Sequence, residues 1–250
     1  MENIFLSGYC GSQVTEESFF GRREYFERLR ELTAPRKSSK GISIIGLNHI
    51  GKSSLVQEYI RAESTFSESD VILIERTLSD STSPNEFWHS FTQTLYDEWR
   101  AKASIESDTE EKFKSILNAP IESSTWFNSR FLNNIKVLLK RLKEANLRLF
   151  FVIDEFDYAR EIFSKNGGLS LIRDMGTMAA YNITVITLSR RTLYIIQKEA
   201  VGAGSTLSES FVSLYLSYFN SRDMEAFYDA FSDYDIFPLM HKDFAARLQF

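Results

Sequence analysis

One loop constrains the fold of this chain more than any other feature. Gly46 is separated by four residues from the run Gly51-Lys52-Ser53. Residues 41–45 before the loop are mostly β-branched and predict a buried strand, and residues 55–60 after it have a helical pattern. Glycines at both ends let backbone N–H groups turn inward, and the following helix adds the positive end of its dipole. This order of strand, loop and helix predicts a phosphate-binding loop.

The spacing of Gly46, Gly51, Lys52 and Ser53 is the Walker A pattern. Lys52 is predicted to reach the β- and γ-phosphates of a nucleotide, and the Ser53 hydroxyl to ligate magnesium. The rest of the predicted nucleotide-binding segment is Asn48, His49, Ile50 and Ser54. We assign no chemistry to the imidazole of His49, which is expected to face solvent. The loop therefore predicts ATP or ADP with Mg²⁺ as the cofactors.

A second strand end carries two carboxylates. Residues 147–153 are almost continuously apolar, as in a strand buried inside a parallel sheet, and Asp154 and Glu155 follow. Parallel sheets bind ligands at the carboxyl ends of their strands, where Lys52 and Ser53 are also expected. Asp154 is therefore predicted to hold Mg²⁺ in the Walker B position, and Glu155 to act as a general base on water. Without the Walker A loop, the pair would be interpreted as solvated acids opening a loop.

A third strand end is predicted to lie beside these two. A glutamate directly after the Walker B aspartate is typical of P-loop proteins with an extra strand between the Walker A and Walker B strands. Residues 183–188 are the candidate, followed by Ser189, Arg190 and Arg191. A guanidinium at this place could sense or stabilise phosphate charge, which makes Arg190 a predicted catalytic residue. The alternative, at least as strong for Arg191, is pairing with surface acids.

The remaining pattern alternates strands and helices. Further strands are predicted at 71–75 and 211–216, and helices at 84–101, 127–145, 169–180, 192–200 and 221–231. This order predicts an α/β P-loop fold, a three-layer sandwich with a mostly parallel five-stranded sheet and helices on both faces. The expected organisation is an N-terminal lead at 1–18, a core at 19–219 with an acidic surface insertion at about 102–124, and a short helical C-terminal extension or lid at 220–250.

Composition excludes several classes of protein. The single cysteine, Cys10, cannot form an internal disulfide, so a disulfide scaffold is excluded and a reducing compartment is favoured. No apolar run is long enough for a membrane span, and the chain is expected to be cytoplasmic without a membrane partner. The net charge of −5 argues against a protein that coats nucleic acid, although it leaves room for a local basic face.

Four motifs together resemble one family of ATPases. Phe20-Gly21-Arg22-Arg23-Glu24, with Phe26 and Leu29, resembles the box that opens many AAA+ and STAND-type ATPases. Residues 50–55, 153–157 and 188–190 are similar to the phosphate loop, Walker B segment and sensor strand of bacterial and archaeal STAND ATPases. The motifs occur in the family's order and spread over residues 19–191.

The resemblance implies specific roles. Phe20, Gly21 and Arg22 would lie near the adenine and ribose, and Arg190 would contact the γ-phosphate. STAND ATPases bind ATP or ADP as a conformational switch and often oligomerise with ATP. Bacterial members frequently act in defence against phage or in regulation, with an effector. The expected reaction is hydrolysis of ATP to ADP and phosphate, slow where an arginine must come from a partner.

The tail departs from the family pattern and leaves alternatives open. Where the family has a Gly-Gly-x-Pro-like turn in a lid, residues 235–238 retain only Pro238. The chain is thus expected to be an excised module, or a compact protein whose lid and effector come from partners. The main hypothesis is a switch ATPase that controls a protein effector or a homo-oligomer. The alternatives are a DNA-acting AAA+ ATPase of the initiator or transposition-regulator type, which the acidic charge disfavours, and a nucleotide-bound scaffold without turnover.

Overall fold

The computed structural model describes residues 22–34, 40–62, 70–120, 129–163, 168–178, 180–201 and 207–220. The strands are β1 (Gly41–Ile45), β2 (Val71–Thr77), β3 (Arg148–Asp154), β4 (Ile183–Ser189) and β5 (Phe211–Tyr215). The helices are α1 (Arg23–Thr33), α2 (Lys52–Ala62), α3 (Pro84–Lys102), α4 (Ser107–Leu117), α5 (Ser129–Glu144), α6 (Ala159–Ile162), α7 (Gly168–Thr177) and α8 (Leu193–Val201). Short 3₁₀ turns lie at Leu78–Asp80, Phe156–Tyr158 and Ser208–Ser210.

The five strands form one parallel sheet in the order β2-β3-β4-β1-β5. The predicted five-stranded sheet is confirmed, and β4 lies between β1 and β3 as the predicted extra strand. Ile45 pairs with Ser189, and Thr77 pairs with Asp154. Because all strands are parallel, their carboxyl ends lie along one edge of the sheet. The loop after β1 and the carboxylates after β3 therefore share that edge.

Helices cover both faces of this sheet, which is why residues 149–153 within β3 are all apolar. The ring of Phe151 packs on Phe91 of α3, with 4.5 Å between the ring centroids. Phe150 points to the opposite face, because side chains alternate along a strand. There the Arg148 guanidinium lies 4.8 Å from the Phe150 ring and donates a hydrogen bond to the carbonyl of Thr33 in α1. Burial on both sides accounts for the unbroken apolar pattern of β3.

Local sequence signals account for the start of α3. Ser83 is the N-cap, its Oγ accepts the backbone N–H of Glu86 at 3.2 Å, and Pro84 occupies the first turn. Glu86 in turn accepts hydrogen bonds from the backbone N–H and the hydroxyl of Thr82, at 2.7 and 2.8 Å. The backbone hydrogen bond from Thr82, followed by its hydroxyl, lowers the pKa of Glu86. The predicted helix start is confirmed.

This cap predicts a pH-dependent stability. Because folding lowers the pKa of Glu86, its contribution is present above the unfolded-state pKa and is lost as the pH falls through the folded-state pKa. We expect Glu86→Gln to lower the free energy of unfolding by less than about 1 kcal/mol at neutral pH. Urea unfolding followed by circular dichroism at several pH values measures this, with Glu111→Gln, an exposed acid of α4, as the control. A deficit that persists unchanged at acidic pH would contradict the prediction.

The acidic segment that was expected to be a surface insertion without periodicity contains a packed helix instead. Within α4, Thr109, Phe113 and Ile116 are buried. The Phe113 ring lies 5.1 Å from the ring of Tyr96 and 5.9 Å from that of Trp99, measured between centroids. The surface insertion predicted at about 102–124 thus contains a helix packed on α3, because Phe113 and Ile116, which complete its apolar face, follow the acidic stretch at 104–111.

The chain divides into two compact units, one of residues 29–216 and one of residues 1–28 with 217–250. The sheet and α2–α8 belong to the first unit. Among the described residues, none of the helices has the length and apolar character that crossing a membrane requires. The predicted helix at 221–231, the predicted N-terminal lead and most of the C-terminal extension lie outside the described residues, and the predicted domain boundaries stay predictions.

Candidate nucleotide site

The loop after β1 turns through two left-handed residues. Gly51 has φ +87° and His49 has φ +58°. A left-handed conformation is strained for most residues and unstrained for glycine, so Gly51 is required by the backbone itself. α2 then begins at Lys52, and the N–H groups of its first turn are free of partners within the helix, as at every helix N-terminus. The side chains of Asn48 and His49 are exposed, whereas Ile50 and Ser54 are partly buried.

Gly46 is required because its surroundings leave no room for a side chain, and not because of the φ angle that its place in the motif suggested. It is not left-handed, so the expected freedom of its φ angle is not used. A Cβ atom at this position would instead lie 2.9 Å from the carbonyl oxygen of Leu216 and 3.1 Å from the Ile50 side chain. The N–H of Gly46 is bonded to the carbonyl of Ser189 at 3.0 Å. Gly46 therefore lets the start of the loop pack closely against Leu216, the residue directly after β5.

The Lys52 ammonium folds back over the loop. Its Nζ donates hydrogen bonds to the carbonyl oxygens of Gly46 at 3.0 Å and Leu47 at 2.9 Å. Burial lowers the pKa of Lys52, while the negative charges of Asp154, Asp157 and Glu155 act to raise it and the charge of Arg190 adds to the lowering. The strand order agrees, because β4 lies between β1 and β3, and Ser189 at its end pairs with Ile45 directly before the loop. The loop and the ends of β3 and β4 form one charged cluster.

Ser53 and Asp154 meet at the centre of this cluster. The Ser53 Oγ donates a hydrogen bond to Asp154 Oδ2 at 2.5 Å, across a sequence separation of 101 residues. A hydroxyl and one carboxylate are a donor set that suits Mg²⁺, which usually takes one or two protein oxygens together with phosphates and water. In the described part of the chain, no group of three or more His, Cys, Asp or Glu forms a separate metal site. Ser53 and Asp154 thus fit a magnesium ion carried by a nucleotide.

Glu155 is set apart from Asp154 by its backbone. It adopts a left-handed conformation with φ 50° and ψ 41°, and its N–H is bonded to Asp154 Oδ1 at 2.7 Å. The Glu155 side chain is exposed, and its Oε2 accepts a hydrogen bond from the hydroxyl of Ser79 in the 3₁₀ turn after β2. A non-glycine residue in this conformation costs about 1–3 kcal/mol and persists only where surrounding contacts hold it. The turn separates the two carboxylates, so that they can have different roles.

The end of β4 brings two arginines to the same edge. The Arg190 side chain is 54% exposed, and its Nε lies 3.9 Å from Asp157 Oδ2. Arg191 is held more firmly, because its Nε donates to Asp157 Oδ1 at 2.9 Å and its terminal nitrogen donates to Glu199 at 2.9 Å. Of the two alternatives left open for Arg191, the structure has the pairing with acids, one of which, Asp157, is buried. Arg190 remains the arginine whose side chain is available at the site edge.

The box at Phe20, Gly21 and Arg22 is described only in part. Phe20 and Gly21 lie outside the described residues, so their predicted place near the adenine stays a prediction. Arg22 has φ 64°, and its guanidinium donates a hydrogen bond to the carbonyl of Ser217 at 2.6 Å. The guanidinium carbon also lies 4.8 Å from the centre of the Phe219 ring. Arg22 is thus held inside the smaller unit.

Two residues of the cluster were not predicted as part of the site. Ser79 carries no motif, and its contact with Glu155 follows only from the pairing of β2 with β3. Asp157 has no role predicted from the motifs, yet its carboxylate is buried and bonded to the two residues that follow β4. The sequence did carry one signal for Asp157, namely its position three residues after the Walker B aspartate.

Comparison with known proteins agrees with this architecture. The AAA ATPase domain family matches residues 18–186. A search of curated proteins found no match. Among solved structures, the chain is similar to the Walker-type ATPase PABY2304 of Pyrococcus abyssi, with 18% identity, a TM-score of 0.51, and coverage of 88% of this chain and 60% of that chain.

Two structures from Aeropyrum pernix are similar in fold as well. The ADP form of the ORC2 protein has 15% identity and a TM-score of 0.58, covering 89% of this chain and 55% of that chain. The ORC1 protein in complex with DNA has 13% identity and a TM-score of 0.53, covering 87% and 50%. The chain spans about half to three fifths of the length of these three structures. These structures share the fold, and the family model that matches residues 18–186 shows that this chain belongs to the AAA ATPase domain family.

Proposed function

We propose that this chain is an ATP-hydrolysing switch module whose nucleotide state controls a partner effector or an oligomer, in defence against phage or in regulation. One observation carries the proposal: the Lys52–Ser53 end of the phosphate loop and the Asp154–Glu155 pair converge at one edge of the sheet. This is the arrangement that phosphoryl transfer to water needs, because it brings a phosphate cradle and a general base together.

Each side chain has a distinct part in the proposed hydrolysis. The N–H groups at the start of α2 and the ammonium of Lys52 bind the phosphates. Ser53 and Asp154 would hold Mg²⁺, which supplies neutralisation of the charge on the phosphate oxygens. Glu155 accepts a proton from the attacking water at a carboxylate oxygen, and Ser79 holds that carboxylate when no water is being activated. Arg190, close to Lys52, stabilises charge on the γ-phosphate.

Ion pairs within the chain support a role for a partner. By their spacing in the sequence, Arg160, Arg173 and Arg191 are each plausible as an arginine that completes the site of its own chain. Arg160 pairs with Glu199 at 3.3 Å, Arg173 with Asp174 at 3.0 Å, and Arg191 with Asp157 at 2.9 Å. An arginine held by acids of its own chain has to break those contacts to serve its own nucleotide. A second subunit or an effector is the simpler source of such a guanidinium.

The proposal predicts assembly that depends on ATP. ATP can drive association only if it binds the assembled form more tightly than the free chain. We expect multi-angle light scattering to show a larger mass with ATP than with ADP or without nucleotide, for the chain alone or with the products of neighbouring genes. Lys52→Ala is the control, and its mass should not respond to ATP. The switch proposal would be contradicted if the chain stayed a monomer in all three conditions and associated with none of the products of neighbouring genes.

A second candidate function is action on DNA, as in an AAA+ initiator. The observation that favours it is the fold shared with an ORC1 protein whose structure contains DNA. The net charge of −5 disfavours it, because binding to phosphate backbones depends on basic residues. A gel shift at two salt concentrations tests the candidate. Affinity for DNA that falls steeply with salt would favour the initiator over the switch.

A further inference from the structure

Asp157 is a buried carboxylate beside the proposed site that the hydrolysis described above does not use. Its side chain is 7% exposed. Asp157 Oδ2 accepts the backbone N–H of Arg190 at 2.7 Å, and Oδ1 accepts the Nε–H of Arg191 at 2.9 Å. A buried charge is costly unless it is paired and hydrogen-bonded, and both oxygens here meet donors. All of these donors come from the two residues after β4, so the carboxylate ties the end of β3 to the end of β4.

Asp157 holds the backbone N–H of Arg190 and does not bind the guanidinium of that residue. The Arg190 side chain is 54% exposed, and its Nε is 3.9 Å from the Asp157 oxygen, beyond hydrogen-bond distance. A second hydrogen bond stabilises the turn after β4, because the Ser189 hydroxyl donates to the Arg191 carbonyl at 2.7 Å. The direction in which the Arg190 side chain leaves the sheet is therefore set by Asp157 and Ser189.

Strand pairing places this arginine beside the phosphate loop. Ile45, directly before the loop, pairs with Ser189, directly before Arg190, and the N–H of Gly46 donates to the Ser189 carbonyl at 3.0 Å. Lys52 is the residue that would meet the β- and γ-phosphates. A guanidinium held near Lys52 would distinguish a triphosphate from a diphosphate, since only ATP offers it the charge of a γ-phosphate.

We propose that Asp157 is a positioning residue which, by binding the backbone of Arg190, makes the chain prefer ATP over ADP. The inference rests on the proposed function, because it takes Arg190 as the residue that reads the γ-phosphate. Asp157 itself does not touch the nucleotide. The competing interpretation is that Asp157 stabilises the fold through its ion pair with Arg191 and has no effect on nucleotide choice.

Asparagine at position 157 separates these interpretations. The side chain of Asp157→Asn has one acceptor oxygen for two donors, so its NH₂ group must face either the Arg190 N–H or the Arg191 Nε–H. Glu199→Gln is the matched control, since it removes the outer charge on α8 that Arg191 and Arg160 both meet and leaves the Arg190 N–H bonded to Asp157. Asp157→Ser is a second variant in case the asparagine variant does not fold. Its acceptor oxygen lies one bond closer to the backbone than the oxygens of aspartate.

The experiment is isothermal titration calorimetry of the full chain with ADP and with a non-hydrolysable ATP analogue. We expect Asp157→Asn to reduce the ratio of ATP-analogue affinity to ADP affinity by about tenfold, the usual worth of a hydrogen bond to a charged group. ADP affinity itself should stay unchanged, and Glu199→Gln should keep the wild-type ratio. The double variant Asp157→Asn with Arg190→Ala should match Arg190→Ala alone, because both substitutions act through one guanidinium.

Three results would overturn the inference in distinguishable ways. If the wild-type chain prefers ATP and Asp157→Asn keeps that preference, or loses affinity for both nucleotides equally, then Asp157 has only a structural role. If the wild-type chain binds neither nucleotide, the proposed function fails and the inference fails with it. Additive effects of the Asp157 and Arg190 substitutions would also overturn it, because they would mean that Asp157 does not act through Arg190.

Discussion

Glu155→Gln is expected to lower the rate of ATP turnover by about 10²-fold or more while ATP still binds. Glutamine keeps the size of the side chain and its acceptor for the Ser79 hydroxyl, but it cannot take a proton from water. The left-handed backbone at Glu155 and the neighbouring Asp154 are untouched by the change. Phosphate release measured beside ATP affinity therefore separates chemistry from binding.

The control for this prediction is a nearby acid outside the site. Glu161→Gln changes an exposed carboxylate of α6 that pairs with Arg160, and it should keep the wild-type turnover. A native rate in Glu155→Gln would mean that the carboxylate pair is structural. The chain would then be better described as a nucleotide-bound scaffold, the third hypothesis raised by its sequence.

Lys52→Ala is expected to abolish the thermal stabilisation by ATP. Ligand at about 100 times its Kd stabilises a folded chain by about 2.7 kcal/mol, or roughly 5–10 °C in a chain of this size. Alanine removes the ammonium that folds over the Gly46 and Leu47 carbonyls and would meet the phosphates. Scanning fluorimetry with and without ATP and Mg²⁺ measures the shift. Because each variant is compared with itself without nucleotide, a change in its own stability does not affect the comparison.

Lys198→Ala, an exposed lysine of α8, is the matched control and should keep the full shift. An undiminished shift in Lys52→Ala would overturn the assignment of the phosphate loop. Lys52→Ala, Glu155→Gln and the native chain together give three cases: a protein that cannot bind ATP, one that binds ATP without turnover, and one that binds and hydrolyses it.

The sequence was sufficient to predict the elements whose pattern lies within a run of neighbouring residues. The β-branched run at 41–45, the apolar run before Asp154 and the alternation of strands and helices predicted the parallel sheet, because side-chain periodicity is a property of neighbouring residues. The place of β4 between β1 and β3 followed from Glu155, and Ser83 with Pro84 marked a helix start. The same reasoning missed α4, because the apolar positions of that helix extend past the acidic stretch.

Contacts between distant segments were decided by the tertiary structure alone. The approach of Ser79 to Glu155, the bonds from Asp157 to the end of β4, and the crowding that requires a glycine at position 46 join residues that no sequence pattern relates. The sequence by itself determined which chemistry is available: a phosphate loop, two carboxylates and an arginine at strand ends. Only the packing of parallel strands decided how these groups are held, since a buried carboxylate needs donors and the nearest donors in space come from another strand.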